Sequence, residues 1–275
     1  MVTSVNTNAG ALVALQNLNM TNTQLATVQN RINTGLKVSS AKDDGAVFAI
    51  AQNLRSDIAG LSAVKGSLER GSSAVDVALA AGESISNLLI EMKGKAVAAS
   101  DKGLDSASIT ALKDDFEALR DQIGTIVDNA EFNGTNMIKN SGDSVVALAN
   151  DKGTQTITVA AQDLSLTGTT LSIATTTTFT TATAAASAVT LLESSLSALN
   201  TALAKLGTGS KALSSQLIFT GKLSDVIEVG IGNLVDADLA KESAKLQSLQ
   251  VKQQLGIQAL SIANQAPSII LSLFR

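Results

Sequence analysis

Apolar side chains recur at helical spacing over most of this chain, most clearly at its two ends. Near the start, Leu12, Leu15, Leu18, Leu25, Val28, Ile32 and Leu36 fall at spacings of 3, 3, 7, 3, 4 and 4. Such steps return side chains to one face of an α-helix, so the segment is predicted to be a helix with an apolar stripe. Near the end, Val235, Leu239, Leu246, Leu249 and Leu260 keep a similar stripe, interrupted by Gln253. Leu255, Ile262 and Ile269 form a second one at a strict spacing of seven. A helix with two apolar faces must be covered on two sides.

Between the ends the pattern changes twice. From Ser39 to Asn129 it predicts long helices with ordinary surfaces, as in Ile50, Leu54, Ile58 and Leu61, then Leu79, Ile85, Leu88, Leu89 and Met92. "SDKGLDS" around Gly103 is a break, and Ser108 reads as the N-cap of a helix carrying Leu112, Phe116, Leu119, Ile123 and Ile126. Asn133-Gly134 marks a turn, after which Thr and Gly dominate to about Thr183. "TQTITVA" and "LSLTGTTLSI" alternate apolar and polar residues, with Gly168 between two such runs, a hairpin signature. "TTTTFTTATAAA" reads as a surface linker or strand edge. A helical pattern resumes near Ala184 and continues to the end, loosened at Gly230 and Gly232. The fold class expected is mainly α: a long helical bundle or coiled coil in which the N- and C-terminal segments pair, with a small β-hairpin insert.

Composition narrows the function. The chain has no His, Cys, Trp or Tyr, one Pro and six Phe, yet 45% of it is apolar, so its core must be Ala, Leu, Val and Ile. A net charge of −4 gives no basic footprint for nucleic acid. Without His or Cys, a Ser–His–Asp triad, a Cys–His pair and a Cys/His zinc site are impossible. Gly207-Thr208-Gly209-Ser210-Lys211 lacks the spacing of a phosphate loop and reads as a helix connection. Asp43-Asp44 and Asp114-Asp115 read as capping or solvated charge, and Asp236 and Asp238 suit the N-terminal dipole of the last helix. No catalytic residue, cofactor or metal ligand is expected.

Charge is absent where cover is most needed. The first thirty residues carry none, and neither does Gly256 to Phe274, although that stretch contains Ile269, Ile270, Leu273 and Phe274. Neither end reads as a targeting segment. The N-terminus has no basic region before Arg31, and the longest unbroken apolar run of the tail, Ile269 to Leu271, is far short of the roughly 20 residues that span a bilayer. The faces between the stripes carry Gln, Asn and Ser, which tolerate burial between chains without the desolvation cost of an ion. Two terminal helices of a globular bundle are the plainer alternative, but bundle helices normally keep a charged outer face.

The stretches "VNTNAGALVALQNL", "RINTGLKVSSAKDDGAVFAIAQNL" and "NLVDADLAKESAKLQSLQVKQQLGIQALSIANQAPSIILSLFR" resemble the two terminal regions of bacterial flagellin, and "EFNGTNMI" is similar to the family's helix-to-β transition. The resemblance covers roughly residues 1–140 and 185–275. It implies a structural subunit that self-assembles into the extracellular flagellar filament used in swimming, and a short form without outer domains. Residues 1–38 and 232–275 would form a helical pair at the filament core. Residues 39–231 would form a helical shell with a β-hairpin region at about 132–183. Partners implied are many copies of the same chain, an export chaperone, the type III export apparatus, and hook-associated and cap proteins. Nucleic acid, membrane and cofactors are not among them. A hook–filament junction protein and a secreted helical adhesin or effector are the alternatives, the first weakened by the very short centre and the second by the two charge-free ends.

Overall fold

The computed structural model describes residues 7–166 and 168–272, with side chains as far as residue 265. The chain divides into two compact units, residues 1–56 with 226–275, and residues 57–225.

In the first unit, helix α1 (Ala9–Thr34) and helix α5 (Leu239–Ser272) run antiparallel. Asn8 lies near Ala263, Asn22 near Gln253 and Arg31 near Glu242. The Asn8 side chain caps α1 by accepting from the Ala11 N–H, and Gly35 ends the helix in the left-handed conformation at φ 70°. On α1 the row of residues withdrawn from solvent is Ala11, Ala14, Leu18, Thr21, Leu25, Val28 and Ile32, with the half-buried Arg31 at its edge; on α5 the row is Glu242, Leu246, Leu249, Gln253, Gly256, Leu260 and Ala263. Both sets alternate steps of three and four without a fault, the 3.5-residue repeat of coiled-coil packing. The pair is strapped at one end, where Lys37 and Val38 donate to the Val235 carbonyl and Ala237 donates to that of Gly35. Asp238 then caps α5 by accepting from the Lys241 N–H, and Asp44 caps the next helix by accepting from Ala46 and Val47.

Two helices, α2 (Gly45–Ala99) and α4 (Ala182–Val235), contribute to both units. Within the second unit they pack with α3 (Ser106–Asn129) and a hairpin of β1 (Val145–Leu148) and β2 (Thr156–Val159), paired antiparallel with Val145 opposite Val159. The core is continuous: Leu68, Ile85, Leu89 and Met92 of α2, Phe116 and Ile123 of α3, and Leu192, Leu199 and Leu206 of α4 are fully buried. Backbones approach closely where glycine permits. A Cβ on Gly209 would stand 2.5 Å from the Cγ1 of Val159, so the hairpin lies directly on α4 there.

Several sequence expectations are corrected. The N-cap of α3 is Asp105, which accepts from the Ser108 N–H, because the extended residue with the acceptor lies one step outside the first helical turn. "LSLTGTTLSI" forms no strand among its described residues, and the hairpin partner of "TITV" is "VVAL" instead. The alternation in the former arises because Leu164, Leu166, Leu171 and Ile173 reach individually into the core. "TTTTFTTATAAA" is no simple surface linker: Phe179 is fully buried, edge-on to Phe116 with ring centroids 5.2 Å apart, and Ala182 already begins α4. Gly207 to Lys211 is helix interior, and α4 also runs unbroken through Gly230 and Gly232.

Candidate assembly surface

The α1–α5 pair has an inner seam and an outer surface, and the apolar residues predicted for the subunit interface divide between them. Leu18, Leu25, Val28, Ile32, Leu246, Leu249 and Leu260 lie in the seam, Val28 and Leu249 the most deeply buried of them. Leu36 lies just past α1, bridged to Asp236. Leu12, Leu15, Leu239, Leu255 and Ile262 point outward; Leu12 is 62% and Ile262 70% exposed. The side chains of Ile269 and Ile270, and Leu273 and Phe274 entirely, lie outside the described residues.

Outward-facing Val13, Met20, Val251 and Ile257 extend this apolar surface. On α1, Leu12, Leu15 and Met20 line a groove of about 570 Å³ together with Gln16, Asn19, Thr23 and Gln24. No ionic side chain lines it, so a partner docking there displaces water from apolar and amide groups without stripping a charge of its hydration. Apolar surface so extensive on both helices of one pair marks an interaction site.

The seam contains polar groups that hydrophobic spacing does not reveal. Gln253 donates to Asn22 Oδ1 at 2.8 Å across it. Arg31 pairs with the buried Glu242 at 3.3 Å, and Lys245 reaches the same Glu242 Oε1 at 3.2 Å. Arg31 Nε and Glu242 Oε2 are buried with no hydrogen-bond partner. Gly256 is the other seam position that a search for leucines passes over; a Cβ there would lie 3.3 Å from Leu18 Cδ1, so its absence lets the helices close. Steps alternating three and four pass through Glu242, Gln253 and Gly256, while Asn22, Arg31 and Lys245 each lie one position off that row and reach the seam from its edge.

The acidic pairs have structural work. Asp43 Oδ2 accepts from the backbone and hydroxyl groups of Ser39 and Ser40. These bonds, the Ser39 hydroxyl foremost, hold its carboxyl below the usual range. Asp114 and Asp115 pair with Lys113 and Lys95. Among the described residues no group of three or more potential metal ligands occurs.

Paired terminal helices with uncovered apolar outer faces, joined to a helical unit that carries one small hairpin, define an assembling structural protein. Residues 5–143 match the family model of the bacterial flagellin N-terminal helical region, and residues 189–274 that of the C-terminal helical region. The chain belongs to the bacterial flagellin family. It is 56% identical over 272 residues to flagellin FljK of Caulobacter vibrioides, covering 99% of this chain and 98% of that one. It is 38% identical over 281 residues to the flagellin of Brucella melitensis, covering 99% of each. Flagellin C of Rhizobium meliloti is 32% identical over 323 residues, covering all of both. The protein is therefore a short flagellin without outer domains, a self-polymerising structural subunit of the extracellular flagellar filament and not an enzyme.

Proposed function

We propose that the α1–α5 pair forms the innermost layer of the filament, with residues 1–38 and 232–275 at its core and residues 39–231 as the surrounding shell. The observation that carries this reading is the outward apolar surface of Leu12, Leu15, Leu239, Leu255 and Ile262 on helices whose described charges are confined to Arg31, Lys241, Glu242, Lys245 and Lys252. Such a face is stable in water only when covered, and a polymer of identical subunits covers it on every copy. The exposed Gln and Asn side chains between the apolar positions then bond to neighbours in a confined space. The same layout calls for export of the chain through the flagellar type III apparatus, a chaperone that shields the C-terminal helix before assembly, and cap and hook-associated proteins at the filament ends.

Electron cryomicroscopy of filaments polymerised from the purified protein tests the layout. Density for α1 and α5 at the smallest radius, with the hairpin of Val145–Leu148 and Thr156–Val159 further out, is the result expected. The reverse order would overturn it.

A further inference from the structure

Charge in the last quarter of the chain is segregated in a way that hydrophobic assembly does not require. From Leu223 to Ala240 there are four carboxylates, Asp225, Glu228, Asp236 and Asp238, and no cation. From Lys241 onward there are four cations and a single carboxylate, Glu242. That carboxylate is buried in the seam, and Asp238 is occupied in capping α5.

The cations gather on one side of the helix pair. Lys241, Lys245 and Lys252 follow one another at steps of four and seven, on a single face of α5 beside the seam. Between that face and α1 lies a groove of about 450 Å³ with Val28 and Leu249 at its base and Arg31, Lys245 and Lys252 around it. Glu242 neutralises only part of this charge, and Lys252 makes no ion pair among the described residues. The acidic stretch has the complementary make-up. Asp225 and Glu228 are exposed on α4 next to Val226 and Val229, which are 68% and 64% exposed. Neither carboxylate has an ion-pair partner among the described residues, and Lys222 stands one turn before Asp225.

We propose that the basic α1–α5 groove receives the Asp225–Val229 face of α4 from a second copy of this chain. The two valines would pack toward Val28 and Leu249 while Asp225 and Glu228 meet Lys245 and Lys252. Groove and ligand are different surfaces of the same subunit, so the contact is heterologous: each copy gives one and receives one. Such a contact propagates instead of closing into a dimer. The inference rests on the filament reading above, to which it adds the polarity of stacking and its dependence on ions.

The test is a charge exchange measured as the critical concentration for polymerisation. Lys252→Glu and Glu228→Lys alter exposed side chains, so circular dichroism of each monomer should match the wild type. Each change alone is expected to raise the critical concentration about tenfold or more at low salt, because like charges then meet across the interface. The double variant, with both charges exchanged, is expected to return to within a few-fold of wild type. Wild-type assembly indifferent to either change overturns the inference and leaves the filament reading standing. A double variant no better than the singles also overturns it, because Lys252 and Glu228 then face other partners. Wild-type protein that forms no filament at any concentration counts against the filament reading itself.

Discussion

Arg31 Nη1 meets Glu242 Oε1 at 3.3 Å in the seam between α1 and α5, and the ion pair is only half satisfied, since Arg31 Nε and Glu242 Oε2 are buried without partners. Arg31 is the first charged residue of the chain and Glu242 the last acidic one. With the backbone strap between Val235 and Lys37, the Asn22–Gln253 bond and the close approach of Gly256 to Leu18, this pair sets which turn of α1 faces which turn of α5. A buried polar contact that costs stability and specifies register is an attested device of coiled coils.

Removing one partner should therefore be harmful and replacing both should not. Arg31→Ala leaves Glu242 with Lys245 alone and is expected to destabilise the pair by about 1–3 kcal/mol. Arg31→Leu combined with Glu242→Leu should recover most of that loss while loosening register. Thermal melts followed by circular dichroism measure the first effect, and disulfide trapping between cysteines placed at positions 22 and 253 measures the second.

Amide hydrogen exchange should separate the two units. In the first, few side chains are fully buried and the outer surface of α1 and α5 is uncovered, whereas the second has a continuous core. Opening free energy follows such differences in burial. In the monomer, amides of α1 and α5 are expected to exchange well before those of α3, and in the filament to become the slower set. Equal protection in the monomer would mean that the pair is stable without neighbours.

Phe179→Ala should destabilise the second unit by about 3–5 kcal/mol, as expected for a truncated core aromatic. Deleting Thr175 and Thr176 removes the middle of the turn that Thr177 closes on Ala174 and should cost less, about 1–2 kcal/mol for its two hydrogen bonds. Chemical denaturation of the two variants checks the contrast.

Mild acid should weaken the fold through three carboxylates. Asp43, Asp105 and Glu117 are held below their usual range by hydrogen bonds, from the Ser39 hydroxyl, from Ser108 and from the Thr178 hydroxyl respectively. Each thus binds a proton more readily unfolded than folded. Their contributions are complete above the ordinary carboxylate range of about pH 4 and are lost as pH falls below it. Melting temperature measured from about pH 6 downward should fall below pH 4, and Asp105→Asn, which keeps a capping acceptor but has no group to protonate there, should flatten that fall.

The terminal helices were legible in the sequence because leucine at steps of three and four needs no context to be read. Their facing was less so. Leu12 and Leu15 look like seam residues beside Leu18, but the seam continues through Ala11 and Ala14, and the leucines point out. In a subunit, hydrophobicity reports burial in the assembly as well as in the chain, and spacing alone does not say which. The centre hides its structure for a different reason. Leu164 and Leu166, then Leu171 and Ile173, are buried with a polar residue between each two because an irregular segment reaches into the core from scattered backbone anchors, such as Leu164 N–H on the Ile138 carbonyl, and its described residues join no sheet. Phe179 was hidden by low complexity: one aromatic among threonines carries the packing of the segment.

On the proposed layout the outer faces of α1 and α5 are surface in the single chain and buried in the filament. Ile262→Glu tests it most directly, since Ile262 is the most exposed of these side chains at 70% and lies outside the seam that contains Leu260. A carboxylate there costs the monomer almost nothing, but buried unpaired between copies it costs several kcal/mol per subunit. The measurement is the critical concentration for polymerisation of this variant, beside its monomer melting curve. An unchanged melt with a critical concentration raised by about a hundredfold or more is the result predicted. Normal filaments at wild-type concentration would show that this face remains in water after assembly and would contradict the account.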